Sequence, residues 1–245
     1  MLDAKSRIIV FSAHAADFCS RSGGAVLRYT GSGAAVRVVC VTAGARGESP
    51  AAWRGKPGVQ EEAVQVVRES EARAAAALLG AELECLGWPD NVLTMGESRL
   101  MRLTELMREF RPDIVLTHWY KDPCNPDHET LARAVIQACH YSELPGVLPH
   151  VQPLPGPPAL FFFEPTVPTT PMTEFAPDFF LDITGVFDAK VKALSALGTQ
   201  ADLPSLYKLY GEYRGHQARV LAGMRECRYA EAFKRFYPAG GTTFH

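Results

Sequence analysis

Apolar positions follow two rhythms along this chain: short unbroken runs of strand length, and longer stretches in which they recur every three or four residues. The short runs, at residues 8–11, 35–42, 82–86, 112–118, 159–164 and 179–183, predict six strands. The longer rhythm predicts helices over 21–29, 60–79, 98–110, a stretch carrying Leu131, Ala134, Val135 and Ala138, then 186–197 and 203–221. A helical turn is expected around Trp53, Arg54 and Lys56, and a short helix over 229–236. In the helix over 60–79, Ala63, Val66, Val67, Ala74 and Leu78 mark the apolar face and Gly80 the stop. Continuous apolar strands alternating with helices predict the α/β class, with a parallel sheet covered on both faces, over residues 1–245 as a single domain.

Composition narrows the partners. A formal charge of −2 with interspersed signs gives no basic stripe, so neither nucleic acid nor an anionic membrane is an expected partner. A small ligand is expected instead. The six cysteines are scattered without a CxxC pair, which fits reduced thiols in a cytoplasmic protein. Residues 1–7 enter a strand without a basic region or cleavage site, so no signal peptide is expected. No apolar run approaches the roughly 18 residues of a spanning helix. Two stretches stand outside the rhythm: the proline-dense segment 144–158, read as a lid or an oligomer contact, and the long loop 165–177. The former and the late helices offer surfaces for a homo-oligomer.

The candidate chemistry lies at the strand ends. His14 and Asp17 follow the first strand, Arg46 and Glu48 the second, and the run from His118 to His128 the fourth. Open α/β sheets bind ligands beyond the carboxyl ends of their strands. Two histidines and a carboxylate suffice for a catalytic metal that keeps one position open. His14, Asp17 and His128 form the natural set, with Asp127 able to hold a ligand histidine's other ring nitrogen. Any one of these histidines taken alone is more often a hydrogen-bonded structural or surface residue.

Taken jointly, the order His14-Ala-Ala-Asp17, Gly23-Gly24, Thr42-Ala-Gly-Ala-Arg46-Gly47-Glu48, Pro112-Asp113 and Asn125-Pro-Asp-His128 resembles the PIG-L/LmbE superfamily of zinc-dependent enzymes, most of them N-deacetylases of amino sugars. The resemblance implies a Rossmann-like, mostly parallel sheet with helices on both faces and the site at the C-terminal ends of the strands. It also implies one divalent ion, zinc first, on His14, Asp17 and His128. Two departures follow from the same comparison. The deacetylases' general base falls at Ala16, whose methyl group takes no proton, and the histidine that stabilises their tetrahedral intermediate falls at Asn125. Losing each costs about 10² to 10⁴-fold.

The 4-oxalomesaconate hydratase branch of the superfamily is similar at Ala13 to Phe18, Arg21-Ser-Gly-Gly24, Gly47-Glu48-Ser49, Asp122-Pro123 through His128 and Leu181-Asp-Ile183. That similarity implies a metal-dependent hydratase adding water to the conjugated double bond of an unsaturated oxo-polycarboxylic acid, in gallate- or protocatechuate-type breakdown. The alternatives are a zinc-dependent N-deacetylase in which Glu48 or Asp127 replaces the lost base, and a C–C bond hydrolase acting on a diketo acid. In the hydratase reading Glu48 handles protons, with Asp127 and His118 as further catalytic candidates. Arg21, Arg46 and Arg54 are candidate clamps for a small anionic carboxylic acid, because a guanidinium fork matches a carboxylate. Tyr120 and Asn125 complete the expected substrate contacts. An iron oxygenase shares the ligand types, but those sites commonly use His-x-Asp on a β-barrel, whereas this chain has His-x-x-Asp and alternates strand with helix.

Overall fold

A computed structural model describes residues 5–168 and 170–238. The leader reading at residues 1–4, and position 169 of the loop 165–177, lie outside the described residues. The strands are β1 (Arg7–Ser12), β2 (Ala35–Thr42), β3 (Glu82–Trp88), β4 (Ile114–His118), β5 (Ala159–Phe163), β6 (Phe179–Asp182) and β7 (Ala230–Arg235). The helices are α1 (Asp17–Gly31), α2 (Pro50–Trp53), α3 (Glu61–Leu79), α4 (Glu97–Phe110), α5 (Pro126–Glu143), α6 (Phe187–Leu194) and α7 (Leu203–Leu221).

All seven strands join one sheet in the order β3-β2-β1-β4-β5-β7-β6. The first five are parallel, and β7 runs antiparallel between β5 and β6. The expected α/β fold with a mostly parallel sheet is therefore the observed one. Burial explains why these runs are strands. Successive side chains of a strand point to opposite faces, and here both faces are buried: Ile8 and Val10 pack beneath α1 and α3, while Ile9 and Phe11 pack beneath α4 and α5. From β1 the chain winds outward to β2 and β3, then returns to the other side of β1 as β4. The order reverses between β1 and β4, and a crevice opens there beyond the strand ends, as such sheets require.

Three expectations need correction. Residues 230–235 form a strand, not a helix; Ala, Glu, Lys and Arg favour helix locally, but pairing on both sides with β5 and β6 outweighs that preference. The buried face of α3 is Val64, Arg68, Ala72, Ala75, Ala76 and Leu79, whereas Val66, Val67 and Leu78 are exposed. Arg68 hides that face in the sequence. It is fully buried because its guanidinium donates to the Ala43 carbonyl and to Thr199 Oγ1. The segment 144–158 is no lid: it follows the far end of α5, about 22 Å along the helix from His128. There Arg108 gathers it, donating to the carbonyls of Leu144, Leu148 and Val151.

Candidate active site

The first site element is the turn between β1 and α1. Ser12 Oγ donates to the His14 carbonyl and accepts from the Phe18 amide, fastening the turn at both ends. Within it the His14 amide donates to Asp17 Oδ2 at 2.8 Å, which brings the two side chains to one side. The second element is the start of α5, where Pro126 occupies the first turn and His128 follows two residues later. Proline suits that position because its missing amide proton has no helical partner to lose.

These elements place His14 Nδ1, Asp17 Oδ2 and His128 Nε2 together, all on buried residues. The separations are 3.1 Å from His14 to Asp17, 3.3 Å from His128 to Asp17 and 3.3 Å between the two nitrogens. Ligands about 2.0 to 2.1 Å from a tetrahedral ion lie about 3.3 Å apart, so the spacing fits a divalent metal. The outward atoms fit it too. His128 Nδ1 pairs with Asp122 Oδ2 at 2.8 Å, His14 Nε2 with Asp127 Oδ2 at 3.3 Å, and Asp17 Oδ1 accepts from Arg21 Nε at 3.3 Å. Such outer partners fix the ring orientation that ligation needs. Two imidazoles and a carboxylate suit zinc, iron, manganese or cobalt.

The electrostatics point the same way. Burial alone would depress His14, but the carboxylates of Asp127, Asp17 and Glu48 overcome it and raise its pKa to about 10. Asp17 is held well below the usual carboxylate range, burial being outweighed by His128, His118 and His14. Asp127 falls to about 2 against its burial, through His14 and the amides of Asn91 and Leu93. The cluster is thus an anionic, buried cage with an evident demand for positive charge.

Glu48 reaches the same place from the loop after β2. Its Oε1 lies 3.8 Å from His14 Nδ1 and accepts from Asn125 Nδ2 at 2.9 Å, while Oε2 accepts from Gln200 Nε2 at 3.2 Å. Its side chain is 26% exposed, against 1% for His14, so it stands on the open side of the ligand set. Gly44 makes the approach possible: a Cβ there would meet Glu48 Cβ at 2.9 Å and His14 Cβ at 3.1 Å.

The other expected residues are distributed differently. His118 accepts the Ala13 amide on Nε2 at 2.9 Å and stacks on His128 at 3.9 Å. Burial and His128 hold it well below its ordinary pKa, so it is neutral, with its proton on the buried Nδ1. Asp127 is saturated by His14 and by the amides of Asn91 and Leu93. Asn125 faces Glu48. Arg21 is buried among protein acceptors, and Arg46 pairs with Glu61 at 2.8 Å. Arg54 is exposed at the end of α2. Tyr120 packs against Trp119, Phe162 and Arg133 on the α5 side of the sheet. Ala16 is buried beside Asp17 with no polar side-chain atom.

Sequence reasoning missed three residues. Asp122 takes His128 Nδ1 together with the Thr166 amide and hydroxyl, and its place six residues before a ligand histidine is the signal that could have found it. Asp90 accepts the amides of Arg46 and Gly47 and fixes the loop that carries Glu48. Gln200 had no local signal, being 152 positions from the carboxylate it holds.

Comparisons with known proteins identify the family and the fold. The family model described as GlcNAc-PI de-N-acetylase, PIG-L, matches residues 9–139. A 4-oxalmesaconate hydratase of Pseudomonas putida is 37% identical over 237 residues, 96% of this chain and 90% of that protein. A probable N-acetyl-alpha-D-glucosaminyl L-malate deacetylase of Bacillus anthracis is 29% identical over 142 residues, covering 56% and 61%. Among solved structures, GalB, the 4-carboxy-2-hydroxymuconate hydratase from Pseudomonas putida, superposes with a TM-score of 0.92 at 35% identity, over 98% of this chain and all of that one. The N,N'-diacetylchitobiose deacetylase from Pyrococcus horikoshii shares the fold at a TM-score of 0.76 and 20% identity, over 94% and 84%. With a family model matching residues 9–139 and a relative 37% identical over nearly the whole of both chains, the chain belongs to the PIG-L family of enzymes.

Proposed function

We propose that the protein is a metal-dependent hydratase that adds water to the conjugated double bond of an unsaturated oxo-polycarboxylic acid, 4-oxalmesaconate being the first candidate, in gallate- or protocatechuate-type breakdown. The observation that carries this reading is the pairing of Ala16, which offers no base, with a Glu48 carboxylate held by two amide donors 3.8 Å from His14. The 37% identity to a 4-oxalmesaconate hydratase over nearly the whole chain supports it.

One divalent ion, zinc first, held by His14, Asp17 and His128, would polarise the oxygens of the oxo-acid. Glu48 Oε1 accepts a proton from water as its oxygen bonds to the carbon remote from the oxo group. The double-bond electrons move toward the oxo oxygen. The Glu48 carboxyl then returns the proton to the neighbouring carbon, so one water is added and nothing is released. Asn125 and Gln200 keep the carboxylate aimed through this sequence, and Asp122 and Asp127 hold the ligand imidazoles. Arg54 is the exposed cation assigned to a substrate carboxylate.

The test is loss of the conjugated absorbance of 4-oxalmesaconate on mixing with the metal-loaded enzyme, with the product identified by mass spectrometry. Glu48→Gln should lower kcat by about 10² to 10⁴-fold with metal content unchanged. An unchanged absorbance overturns the reading. Acetate release from an N-acetylated sugar would favour the deacetylase, and two product fragments the C–C hydrolase.

A further inference from the structure

Arg21 stands one helical turn after Asp17 on α1, with its side chain 7% exposed. Its three nitrogens are all committed: Nε to Asp17 Oδ1 at 3.3 Å, Nη1 to the Glu164 carbonyl at 2.6 Å and Nη2 to Thr166 Oγ1 at 3.3 Å. The anchors are themselves fixed. Glu164 is paired through its carboxylate with buried Arg214, and Thr166 donates its amide and hydroxyl to Asp122 Oδ2 at 2.7 and 2.9 Å. The guanidinium therefore braces one ligand, Asp17, directly, and reaches a second, His128, through Thr166 and Asp122.

We propose that Arg21 is a positioning residue that makes Asp17 a one-oxygen metal ligand and so keeps a coordination position free for the reaction. This rests on the metal centre of the proposed function. A carboxylate can offer an ion one oxygen or two, and the choice sets how many places remain. Here Oδ2 is turned toward the two ligand nitrogens and also accepts the His14 amide, while Oδ1 is engaged by the guanidinium. A charged donor on Oδ1 opposes its rotation onto the ion and draws electron density from the ligand, which leaves the ion a stronger electrophile. A substrate carboxylate has little access to this side chain, because it is 7% exposed and each of its nitrogens already donates to the protein. The brace thus takes the place of the clamp that the sequence suggested.

Cobalt(II) replacement tests this without substrate, since its visible absorbance weakens as coordination number rises. Arg21→Met should fold, as judged by circular dichroism, bind cobalt about 10 to 100-fold more weakly and show a weaker band. Arg21→Lys, which keeps a charged donor, should recover part of both. Arg21→Gln carries the same test if the methionine variant does not fold. A parent-like band and affinity in the variants, with only KM for the oxo-acid raised, would overturn the brace in favour of a substrate clamp. Parent protein that takes up no cobalt overturns the metal centre and the brace with it. A cobalt band that responds to Arg21→Met in a protein without hydratase activity supports the brace and overturns only the hydratase reading.

Discussion

Gly44 shows how one residue without a side chain sets the chemistry of another. Its φ of +69° is a conformation that β-carbons disfavour, and the space a methyl would fill holds Glu48 and His14. Gly44→Ala should displace the Glu48 side chain first and press less closely on His14, so we expect the loss of kcat to exceed any loss of bound metal. Parallel measurement of kcat and bound zinc checks this, and unimpaired turnover would exclude the packing argument. Ala16 and Asn125 act by what they lack or replace. Ala16 gives the turn after β1 no proton acceptor, and Asn125 supplies an amide that donates to Glu48. These positions were legible in the sequence because they fall inside short motifs whose geometry the backbone fixes locally. Asp127 was legible as the partner of a ligand histidine, and it faces His14, not the adjacent His128, because the turn after β3 delivers two amides to its carboxylate from the same side.

At the scale of elements, the strand β7 carries the main departure from local preference. Residues 230–235 are helix formers by composition, yet Glu231 is buried there and accepts the amides of Gly24 and Ala25 on α1 and the Lys190 ammonium of α6. One carboxylate thus ties a strand to two helices. With both side chains under 5% exposed, removing one partner leaves a buried unpaired charge, which costs about 3 to 5 kcal/mol. Glu231→Ala should therefore lower Tm sharply, and adding Lys190→Met should restore part of the loss; equal melting of the single and double variants would show that the pair is not coupled. Helix α3 makes the same lesson in reverse. Its exposed valines imitate a buried stripe, and its buried arginine conceals the true one, because hydrogen-bond partners on other elements decide which face is inside.

For the whole molecule, the sheet order matters more than any single strand. β1 and β4 end side by side where the winding reverses, and that juxtaposition brings His14 and His118 within one crevice and lets α5 supply His128. Burial across the same core also predicts an alkaline limit. The Cys19 and Cys139 thiols are pushed up to about 12 from an ordinary 9.0, by burial first, and in Cys19 with Lys190 opposing the rise. A pKa raised by folding leaves stability intact below the unfolded value and erodes it as pH climbs toward the folded one. These two thiols should therefore contribute a loss of stability between pH 9 and 12, a decline that the double change Cys19→Ala and Cys139→Ala should flatten in thermal melts. An unaltered slope would assign the alkaline loss to other groups.

The amino-acid sequence alone determined the class of fold, and it singled out His14, Asp17 and His128 as a candidate ligand set within short local motifs. Those features depend on neighbours within a few positions, where periodicity, turns and motif spacing constrain the backbone directly. The tertiary structure alone decided which charged groups are free to meet a substrate. Arg21 is spent on Asp17, Glu164 and Thr166, Arg46 on Glu61, and Gln200 arrives at Glu48 from 152 positions away. A side chain's partner is set by what packs opposite it, and in a wound sheet the opposite element is remote in sequence.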